Sequence, residues 1–440
     1  MDMLISPGSL GGKLRSIASK SVAHRLLILA AFADKTCNID CSSSSQDIDA
    51  TIACLRALGA RITHTKIGFR VVPIPKTSRF EPYAHAKLDC RESGSTLRFM
   101  LPVAAALGAE ASFIGRGRLA KRPLAQLIAA LNSHGCNLSE FGSWPLKLTG
   151  QLQAGNYTLP GNVSSQYVTG LLLAASLLKG TTEILVSEPF QSEPYVRLTL
   201  NALSLFGVEY EAGHKQLADG SYRTYCVFGS GTQLAAPETV RVEGDWSNAA
   251  FWLVAAAIGK LPISVKQLNL SSAQGDRVIL AALSLFGAHV VRGNNTATVG
   301  PASLQGIRID VSNCPDLVPP LAILGACATG TTRLANAGRL RLKESDRLQT
   351  VSATLQALGA QARIETDDLL ISGGSTLTGG VVDAAGDHRI AMMAAILATQ
   401  CTGDTLIHGA DCVAKSYPQF FKDFALLGGK AQAQEAIHAL

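Results

Sequence analysis

Four charged residues lie close together in the segment RLRLKESDRLQ, residues 339–349, of a chain that is only 16% charged. They are Lys343, Glu344, Asp346 and Arg347. Lysine and arginine bind anions, and a glutamate between them could transfer a proton. The same pattern also suits an ordinary helix start, with Ser345 as the cap and Arg347 paired with an acid. Because Arg and Leu alternate in RLRL, the segment predicts a strand that leads into a helix.

Polar residues of similar kinds recur at other predicted helix starts. The exposed N–H groups and the dipole of a helix start favour anions, and glycine lets a ligand approach the backbone closely. In the first half the residues are Lys20, Ser21 and Arg25 in SKSVAHR, Gly94 and Arg98 in ESGSTLRF, Arg122 in AKRP, and Ser164, Ser165 and Gln166 in NVSSQ. In the second half they are Asp316 in PDL, Arg389 in DHRIAM and Lys415 in KSYP.

Each of these segments, taken alone, also fits a helix cap or a solvated helix end. Their joint occurrence, with few carboxylates among them, indicates a site for several anionic groups that needs no metal. Two phosphomonoesters and two carboxylates would roughly balance the cations, which are Lys20, Arg25, Arg98, Arg122, Arg347, Arg389 and Lys415. The chain lacks the GxxxxGK[ST] pattern of a Walker P-loop.

The composition is that of an ordinary α/β chain with more than one domain. Its 440 residues are too many for one core, and 47% hydrophobic residues with 41 glycines suit this class. The net charge of +6 is modest and no Lys/Arg-rich run occurs, which disfavours nucleic-acid binding. The ten cysteines form no CxxC pair, so no zinc site is expected. Because the apolar runs stop near ten residues and no signal-peptide core is present, we expect a cytoplasmic protein that does not enter membranes.

A helix that ends in Leu-x-x-(Leu/Phe)-Gly, followed by a strand-like run, recurs along the chain. The copies begin at Leu55, Leu131, Leu203, Leu283, Leu355 and, more loosely, Phe424. Each Gly suits the left-handed position just after a helix end. The spacing of about 70 to 80 residues predicts two strand–helix passes per unit, with three units before roughly residue 236 and three after it. We therefore expect two similar α/β lobes with the active site in the cleft between them.

The ordered segments SKSVAHR, ESGSTLRF, AKRP, SSQ, PD, KESDR, DHRIAM and KSYP resemble the 5-enolpyruvylshikimate-3-phosphate synthase family over nearly the whole chain. The resemblance implies two lobes, each of three βαβαββ units: residues 1–18 with 237–440, and residues 19–236. It implies transfer of the enolpyruvyl group of phosphoenolpyruvate to the 5-hydroxyl of shikimate 3-phosphate, with release of phosphate, in the shikimate pathway to aromatic amino acids. It implies no cofactor and no metal, and we expect a monomer.

The resemblance also assigns residues to the two substrates. Shikimate 3-phosphate would be bound by Lys20, Ser21, Arg25, Ser164, Ser165, Gln166, Ser192, Asp316 and Lys343. Phosphoenolpyruvate would be bound by Lys20, Gly94, Arg122, Gln166, Arg347, Arg389 and Lys415, and Arg98 is a further substrate-binding candidate. Departures from the family pattern concern affinity rather than the reaction, and they are Ile17-Ala18, Glu92 and Arg339.

The implied reaction needs a base and an acid at one site. The substrate 5-hydroxyl loses a proton as it attacks C2 of phosphoenolpyruvate, while C3 gains one. Asp316 is the candidate base, and Glu344 is the candidate for proton transfer at C3, with Lys20 as the rival donor. A carboxylate would stabilise positive charge at C2, while Arg and Lys would hold the leaving phosphate.

Two alternatives are open from the sequence. The related UDP-N-acetylglucosamine enolpyruvyltransferases share the fold but carry a reactive Cys in the loop that reads GRGRLAKRP here, and this loop has no Cys. A non-catalytic phosphate- or RNA-binding module would explain the cations, but such a module has no need of Asp316 and Glu344.

Overall fold

The computed structural model describes residues 1–75, 85–140, 142–230 and 234–434. The chain divides into two compact units. Unit 1 consists of Met1–Ile17 and Glu243–Leu440, and unit 2 consists of Ala18–Val242. Each unit has its own hydrophobic core. The predicted class, a mixed α/β fold built from two similar lobes, is confirmed.

Short strands and helices alternate along both units. The strands are β1 (Asp2–Ser6), β2 (Gly12–Arg15), β3 (Cys37–Asp40), β4 (Arg61–Thr65), β5 (Gly68–Val72), β6 (Ala86–Asp89), β7 (Ala111–Ile114), β8 (Cys136–Leu138), β9 (Leu146–Gly150), β10 (Asn156–Pro160), β11 (Lys179–Ser187), β12 (Tyr210–Leu217), β13 (Gly220–Ser230), β14 (Thr239–Arg241), β15 (Ile263–Lys266), β16 (Val290–Gly293), β17 (Thr296–Val299), β18 (Arg308–Asp310), β19 (Thr331–Ala335), β20 (Gln361–Glu365), β21 (Asp368–Ser372), β22 (Gly380–Asp383), β23 (Thr405–His408) and β24 (Lys430–Gln434).

The helices carry most of the candidate site residues at their starts. They are α1 (Lys20–Ala31), α2 (Gln46–Ala57), α3 (Gly94–Ala106), α4 (Ala125–Asn132), α5 (Ser165–Ala175), α6 (Glu193–Leu205), α7 (Trp246–Ile258), α8 (Ile279–Leu285), α9 (Val318–Cys327), α10 (Arg347–Ala357), α11 (His388–Ala398) and α12 (Phe420–Leu426). Short 3-10 helices span Gly117–Lys121, Gly275–Val278, Pro315–Leu317, Gly338–Leu342 and Ala410–Lys415. No helix in the described ranges is long and apolar enough to cross a membrane.

The strands form four-stranded sheets of one recurring pattern. In the sheet β6-β7-β9-β8, β6 and β7 are parallel, and the other two pairs are antiparallel. With α3 and α4 this sheet makes a continuous βαβαββ unit, and β10–β13 and β18–β21 form two more. In the three remaining sheets one strand comes from elsewhere in the chain: β14 pairs with β3, β2 with β15, and β1 with β23 and β24.

The glycines of the recurring Leu-x-x-(Leu/Phe)-Gly motif end helices as predicted. Their φ angles are all positive: 100° at Gly59, 92° at Gly135, 72° at Gly207, 99° at Gly287, 92° at Gly359 and 96° at Gly428. Residues other than glycine rarely adopt this left-handed conformation, which turns the chain from the helix into the next strand. The predicted helix ends are therefore confirmed in all six copies.

Two helices of unit 1 are buried on almost every side. In α7, the residues from Trp246 to Ala257 are all buried, and α9 is buried from Val318 to Ala326. A helix without a polar face is stable in water only when other elements surround it. Other elements of unit 1 therefore cover α7 and α9.

Candidate active site

In unit 2, Lys20 is the first residue of α1 and forms an ion pair with Asp47 of α2. Its Nζ atom lies 2.6 Å from Asp47 Oδ2, and the two side chains are only 17% and 13% exposed. Ser21 follows Lys20 in the first turn of the helix. The pair fixes an ammonium group at a helix start, where the dipole also favours an anion.

Arg25, one turn further along α1, is buried among neutral groups. Its Nε donates to Thr199 Oγ1 at 2.9 Å, and Nη2 donates to the carbonyl of Tyr195 at 2.8 Å. Nη1 donates to the carbonyl of Ser21 at 2.5 Å. Burial lowers the pKa of Arg25 to about 9. In the described part of the chain no carboxylate lies within 4.0 Å of this guanidinium, so an anionic ligand nearby would stabilise its charge.

Two guanidinium groups approach the backbone at the start of α3. A methyl group on Gly94 would lie 2.6 Å from Arg98 Nη1 and 2.7 Å from Arg122 Nη1. Arg98 Nη1 donates to Gln166 Oε1 at 2.9 Å, and Gln166 Nε2 donates to Ser95 Oγ at 2.9 Å. The two guanidinium groups can therefore lie this close to the backbone only because residue 94 has no side chain. The structure thus brings four of the predicted unit 2 residues and Ser95 together.

The predicted helix start at Ser164 is confirmed. Ser164 caps α5, because its Oγ accepts a hydrogen bond from the backbone N–H of Gln166 at 3.3 Å. Ser165 is buried in the first turn. Ser192 precedes α6 with a left-handed φ of 60° and is also buried. Hydroxyl groups thus lie at two neighbouring helix starts of unit 2.

In unit 1, Arg347 contacts three carboxylates although its side chain is only 1% exposed. Nε and Nη2 donate to the two oxygens of Asp387, at 2.8 and 3.1 Å. Nη1 donates to Asp316 Oδ1 at 2.8 Å, and Nη2 also donates to Glu344 Oε2 at 2.5 Å. Burial alone would lower the pKa of Arg347, but these acids, Asp387 first, raise it, so the guanidinium stays charged.

Asp316 is in turn surrounded by three cations. Its Oδ1 lies 2.8 Å from Arg347 and 3.3 Å from Lys343 Nζ, and Oδ2 lies 3.4 Å from Arg389 Nη2. Burial alone would raise the pKa of Asp316. The cations, Arg389 first, overcome that effect and lower the pKa well below its ordinary value. Asp316 is therefore ionised at neutral pH and orients three cationic side chains.

Two expectations for the segment 339–349 are corrected. The residues RLRL lie in a 3-10 helix, Gly338–Leu342, and not in a strand. Leu340 is buried but Leu342 is exposed, so the two leucines do not lie on one buried face as they would in a strand. The cap of α10 is Asp346 rather than Ser345, since Asp346 Oδ1 accepts from the N–H of Gln349 at 3.2 Å. Ser345 instead donates to Asp387 Oδ2 at 3.0 Å.

The remaining unit 1 candidates lie around the start of α11. Asp387 caps α11 by accepting the backbone N–H of Arg389 at 3.0 Å. Arg389 Nη1 donates to the carbonyl of Asp316 at 3.2 Å. Lys415 ends the 3-10 helix Ala410–Lys415, and its Nζ donates to the carbonyl of Gly386 at 2.7 Å. Arg389 thus joins the Arg347 cluster directly, while Lys415 lies beside the loop that leads into α11.

Three acids of these clusters were not predicted as site residues. Asp47 pairs with Lys20, Asp387 pairs with Arg347, and Asp276 accepts a hydrogen bond from Ser247 Oγ. Burial, followed by the charge of Asp316, raises the pKa of Asp276 to about 6. Asp387 stood in a singled-out segment, but no sequence signal identified Asp47 or Asp276. They contact residues 27 and 29 positions away, on neighbouring helices.

Both clusters combine cationic side chains with carboxylates. Within the described ranges no group of three or more His, Cys, Asp or Glu side chains could hold a metal ion. The carboxylates of unit 1 are instead paired with Arg and Lys. Such an arrangement orients cationic donors toward phosphate and carboxylate groups.

A family model for EPSP synthase (3-phosphoshikimate 1-carboxyvinyltransferase) matches residues 5–424. The chain belongs to the EPSP synthase family. A 3-phosphoshikimate 1-carboxyvinyltransferase of Clostridium kluyveri is 41% identical over 428 residues, which are 97% of each chain. The corresponding protein of Clostridium novyi is 37% identical over 433 residues, again 97% of each chain.

Solved structures of EPSP synthases have the same fold. The enzyme of Acinetobacter baumannii superimposes with a TM-score of 0.78 at 25% identity, and the match covers 98% of this chain and 100% of that chain. The enolpyruvyl transferase NikO of Streptomyces tendae shares the fold, with a TM-score of 0.76 at 20% identity and 99% coverage of both chains.

Proposed function

We propose that this EPSP synthase family member transfers the enolpyruvyl group of phosphoenolpyruvate to the 5-hydroxyl of shikimate 3-phosphate and releases phosphate. The observation that carries the proposal is the match to 3-phosphoshikimate 1-carboxyvinyltransferases over 97% of the chain. The arrangement of acids around Arg347 also supports an enzyme. A module that only bound phosphate would gain nothing from three carboxylates that compete with its ligand for the same guanidinium.

Residues of both units would bind shikimate 3-phosphate in this proposal. The buried hydroxyls and cations at helix starts support the assignment, because they offer charge-assisted and neutral hydrogen bonds to a phosphate. The proposed set is Lys20, Ser21, Arg25, Ser164, Ser165, Gln166 and Ser192 of unit 2, with Asp316 and Lys343 of unit 1.

Phosphoenolpyruvate would be held mainly by guanidinium groups. Arg122 and Arg98 lie beside Gly94, and Arg347 and Arg389 lie beside Asp316. Planar guanidiniums bind carboxylate and phosphate groups through two parallel hydrogen bonds. The proposed set is Lys20, Gly94, Arg122, Gln166, Arg347, Arg389 and Lys415, and Arg98 is a further substrate-binding candidate.

Asp316 would act as the base that accepts the proton of the attacking 5-hydroxyl. Its lowered pKa makes it a weak base while three cations contact it. Anionic substrates bound to the same cations would offset their charge, and the pKa of Asp316 would rise toward a useful value. The base would therefore be strengthened by substrate binding.

Glu344 would move the proton at C3 of phosphoenolpyruvate. In the addition step a C–O bond forms at C2 while C3 gains a proton, and in the elimination step C3 loses a proton as the phosphate leaves C2. The contact between Glu344 and Arg347 supports this role, because it holds the carboxylate beside a proposed phosphoenolpyruvate ligand. Lys20 is the rival proton donor. Its ion pair with Asp47 favours a role in binding the substrates rather than in proton transfer.

A coupled assay for phosphate release tests the function. We expect release with shikimate 3-phosphate and phosphoenolpyruvate together, and none when either is omitted. UDP-N-acetylglucosamine in place of shikimate 3-phosphate is the control for the related enolpyruvyltransferases. Turnover with that acceptor, or release that does not need shikimate 3-phosphate, would contradict the proposal. The proposal includes a monomer in the cytoplasm, which gel filtration and cell fractionation would test.

A further inference from the structure

His24 is a fully buried polar residue that the proposed reaction does not use. It lies on α1, one turn after Lys20 and directly before Arg25. Its Nδ1 atom is 2.7 Å from Thr51 Oγ1 on α2, and its ring meets Phe99 edge to face with 6.2 Å between ring centroids. Nε2 is buried without a hydrogen-bond partner among the described residues. A buried polar ring next to two substrate-binding cations needs a physical explanation.

The hydrogen bond from His24 continues through a row of hydroxyl groups. Thr51 Oγ1 lies 2.8 Å from Thr96 Oγ1, and the Thr96 hydroxyl has two possible acceptors, Ser93 Oγ at 2.8 Å and the carbonyl of Asp47 at 3.3 Å. Ser93 is the cap of α3 and accepts the N–H of Thr96 at 3.2 Å. This row, called the His24 chain below, joins α1, α2 and the start of α3. All its hydroxyls are buried.

The direction of the His24 chain follows from the charge of the imidazole. Burial, helped by the charges of Lys20 and Arg25, lowers the pKa of His24 well below its ordinary value, so the ring is neutral. A neutral ring carries one N–H. If that hydrogen were on Nε2, it would be a buried donor without an acceptor, which is unfavourable. On Nδ1 it donates to Thr51, which then donates to Thr96, and Thr96 donates to Ser93 or Asp47.

We propose that His24 is a positioning residue whose Nδ1–H begins this directed chain and thereby fixes the starts of α1, α2 and α3 against one another. The inference rests on the proposed function, because Lys20 and Gly94 at two of these starts are assigned to phosphoenolpyruvate. Asp47, one turn before Thr51 on α2, holds the ammonium group of Lys20. A misplacement of about 1 Å at such groups is enough to reduce catalysis strongly.

Two substitutions at residue 24 separate hydrogen bonding from packing. His24→Phe keeps a ring in the core but removes Nδ1, and we expect the KM for phosphoenolpyruvate to rise about five- to tenfold, the effect of one lost hydrogen bond. His24→Asn places an amide N–H near the position of Nδ1, and its KM should stay within about twofold of the wild type. The control is His134→Phe, which removes an imidazole bonded to the carbonyls of Ala130 and Asn156 and should leave both KM values unchanged.

Two further measurements test the positioning role of His24 if His24→Phe does not fold. Thr51→Val is nearly isosteric and interrupts the His24 chain at its second member, so it should raise the same KM by a similar factor. Nitrogen NMR of wild-type protein labelled at histidine, with the His24 signal assigned through His24→Asn, should show the hydrogen on Nδ1. A hydrogen on Nε2, or folded Thr51→Val with both KM values within twofold of wild type, would overturn the inference. A wild-type protein without turnover would refute the proposed function instead. The NMR result would still show the direction of the hydrogen bonds in the His24 chain.

Discussion

Arg347 and Asp387 form a two-point ion pair in the interior of unit 1. Nε and Nη2 of the guanidinium donate to the two carboxylate oxygens at 2.8 and 3.1 Å, and the side chains are 1% and 0% exposed. Asp387 also caps α11 and accepts a hydrogen bond from Ser345. One carboxylate thus holds the starts of α10 and α11 together, and with them Arg347 and Arg389.

Replacement of Asp387 should destabilise the protein strongly. Asp387→Ala leaves a buried guanidinium with fewer partners and removes a helix cap, and we expect a loss of about 3–5 kcal/mol in the free energy of unfolding measured with urea. Glu365→Ala is the matched control, because it breaks two exposed pairs, with Arg363 at 2.9 Å and with Arg333 at 3.8 Å. That variant should lose only a small fraction of this amount. Equal losses would show that burial of the Arg347 pair is unimportant.

The two acids of KESDR should have separable roles. Glu344→Gln keeps the shape of the side chain but removes the titrating group, and we expect turnover to fall 10²- to 10⁴-fold, the range for one general acid–base group. Asp346→Ala removes the cap of α10 and a half-exposed ion pair with Arg341 at 3.8 Å, so it should lower stability by about 1 kcal/mol and leave turnover nearly intact. The measurements are kcat, melting temperature and exchange of the C3 hydrogens of phosphoenolpyruvate in deuterated water. Normal exchange in Glu344→Gln would make Lys20 the leading proton donor.

Arg118 lies in the 3-10 helix Gly117–Lys121 and Arg122 directly follows it, but the two arginines should differ in function. The guanidinium of Arg122 approaches Gly94, whereas Arg118 is exposed. Arg122→Ala should weaken phosphoenolpyruvate binding about ten- to a hundredfold through loss of a charge-assisted hydrogen bond, with a much smaller effect on shikimate 3-phosphate. Arg118→Ala should affect neither. Calorimetric titration of each ligand checks this, and equal weakening of both ligands by Arg122→Ala would refute the assignment.

Asp276 should make the protein less stable as the pH rises through its folded-state pKa. Burial and the charge of Asp316 raise that pKa from an ordinary 3.8 to about 6. Between these values the folded state binds more protons than the unfolded state, so the free energy of unfolding falls as the pH increases. Asp276→Asn removes this effect. Its stability relative to wild type should therefore improve from pH 4 to pH 7.5 by up to about 3 kcal/mol. A stability difference that is the same at both pH values would contradict the assigned pKa.

Local features were predictable because they depend on neighbouring residues in the sequence. The repeat glycines need a positive φ wherever a helix turns into a strand, and Ser164 caps the helix that begins beside it. The apolar periodicity and the even spacing of the glycines were sufficient to predict the mixed α/β class. The membership of the EPSP synthase family, predicted from eight short segments, is confirmed by the match over residues 5–424.

Contacts between distant residues could not be predicted in the same way. RLRL alternates like a strand, yet the structure has a 3-10 helix there, because two-residue periodicity over four positions is too short to exclude a helical turn. The acid that pairs with Lys20 stands 27 positions later, at the start of α2, where an Asp is also an ordinary helix-start residue. Nothing in the sequence distinguishes His24 from other polar residues of apolar helices, because its partner Thr51 lies 27 positions later on α2. The assignment of individual residues to substrates stays a prediction.

The order of the strands has a consequence for the synthesis of the protein. β1 lies between β23 and β24 in its sheet, and these partners leave the ribosome roughly 400 residues after it. At ordinary translation rates the first strand waits about 20 to 80 s for them. Unit 2 is one continuous stretch, Ala18–Val242, and can complete its core during this time. The nascent chain therefore carries an unpaired apolar strand, with Met3 and Ile5 exposed, until β23 and β24 emerge. This is the interval in which a chaperone would protect it from aggregation.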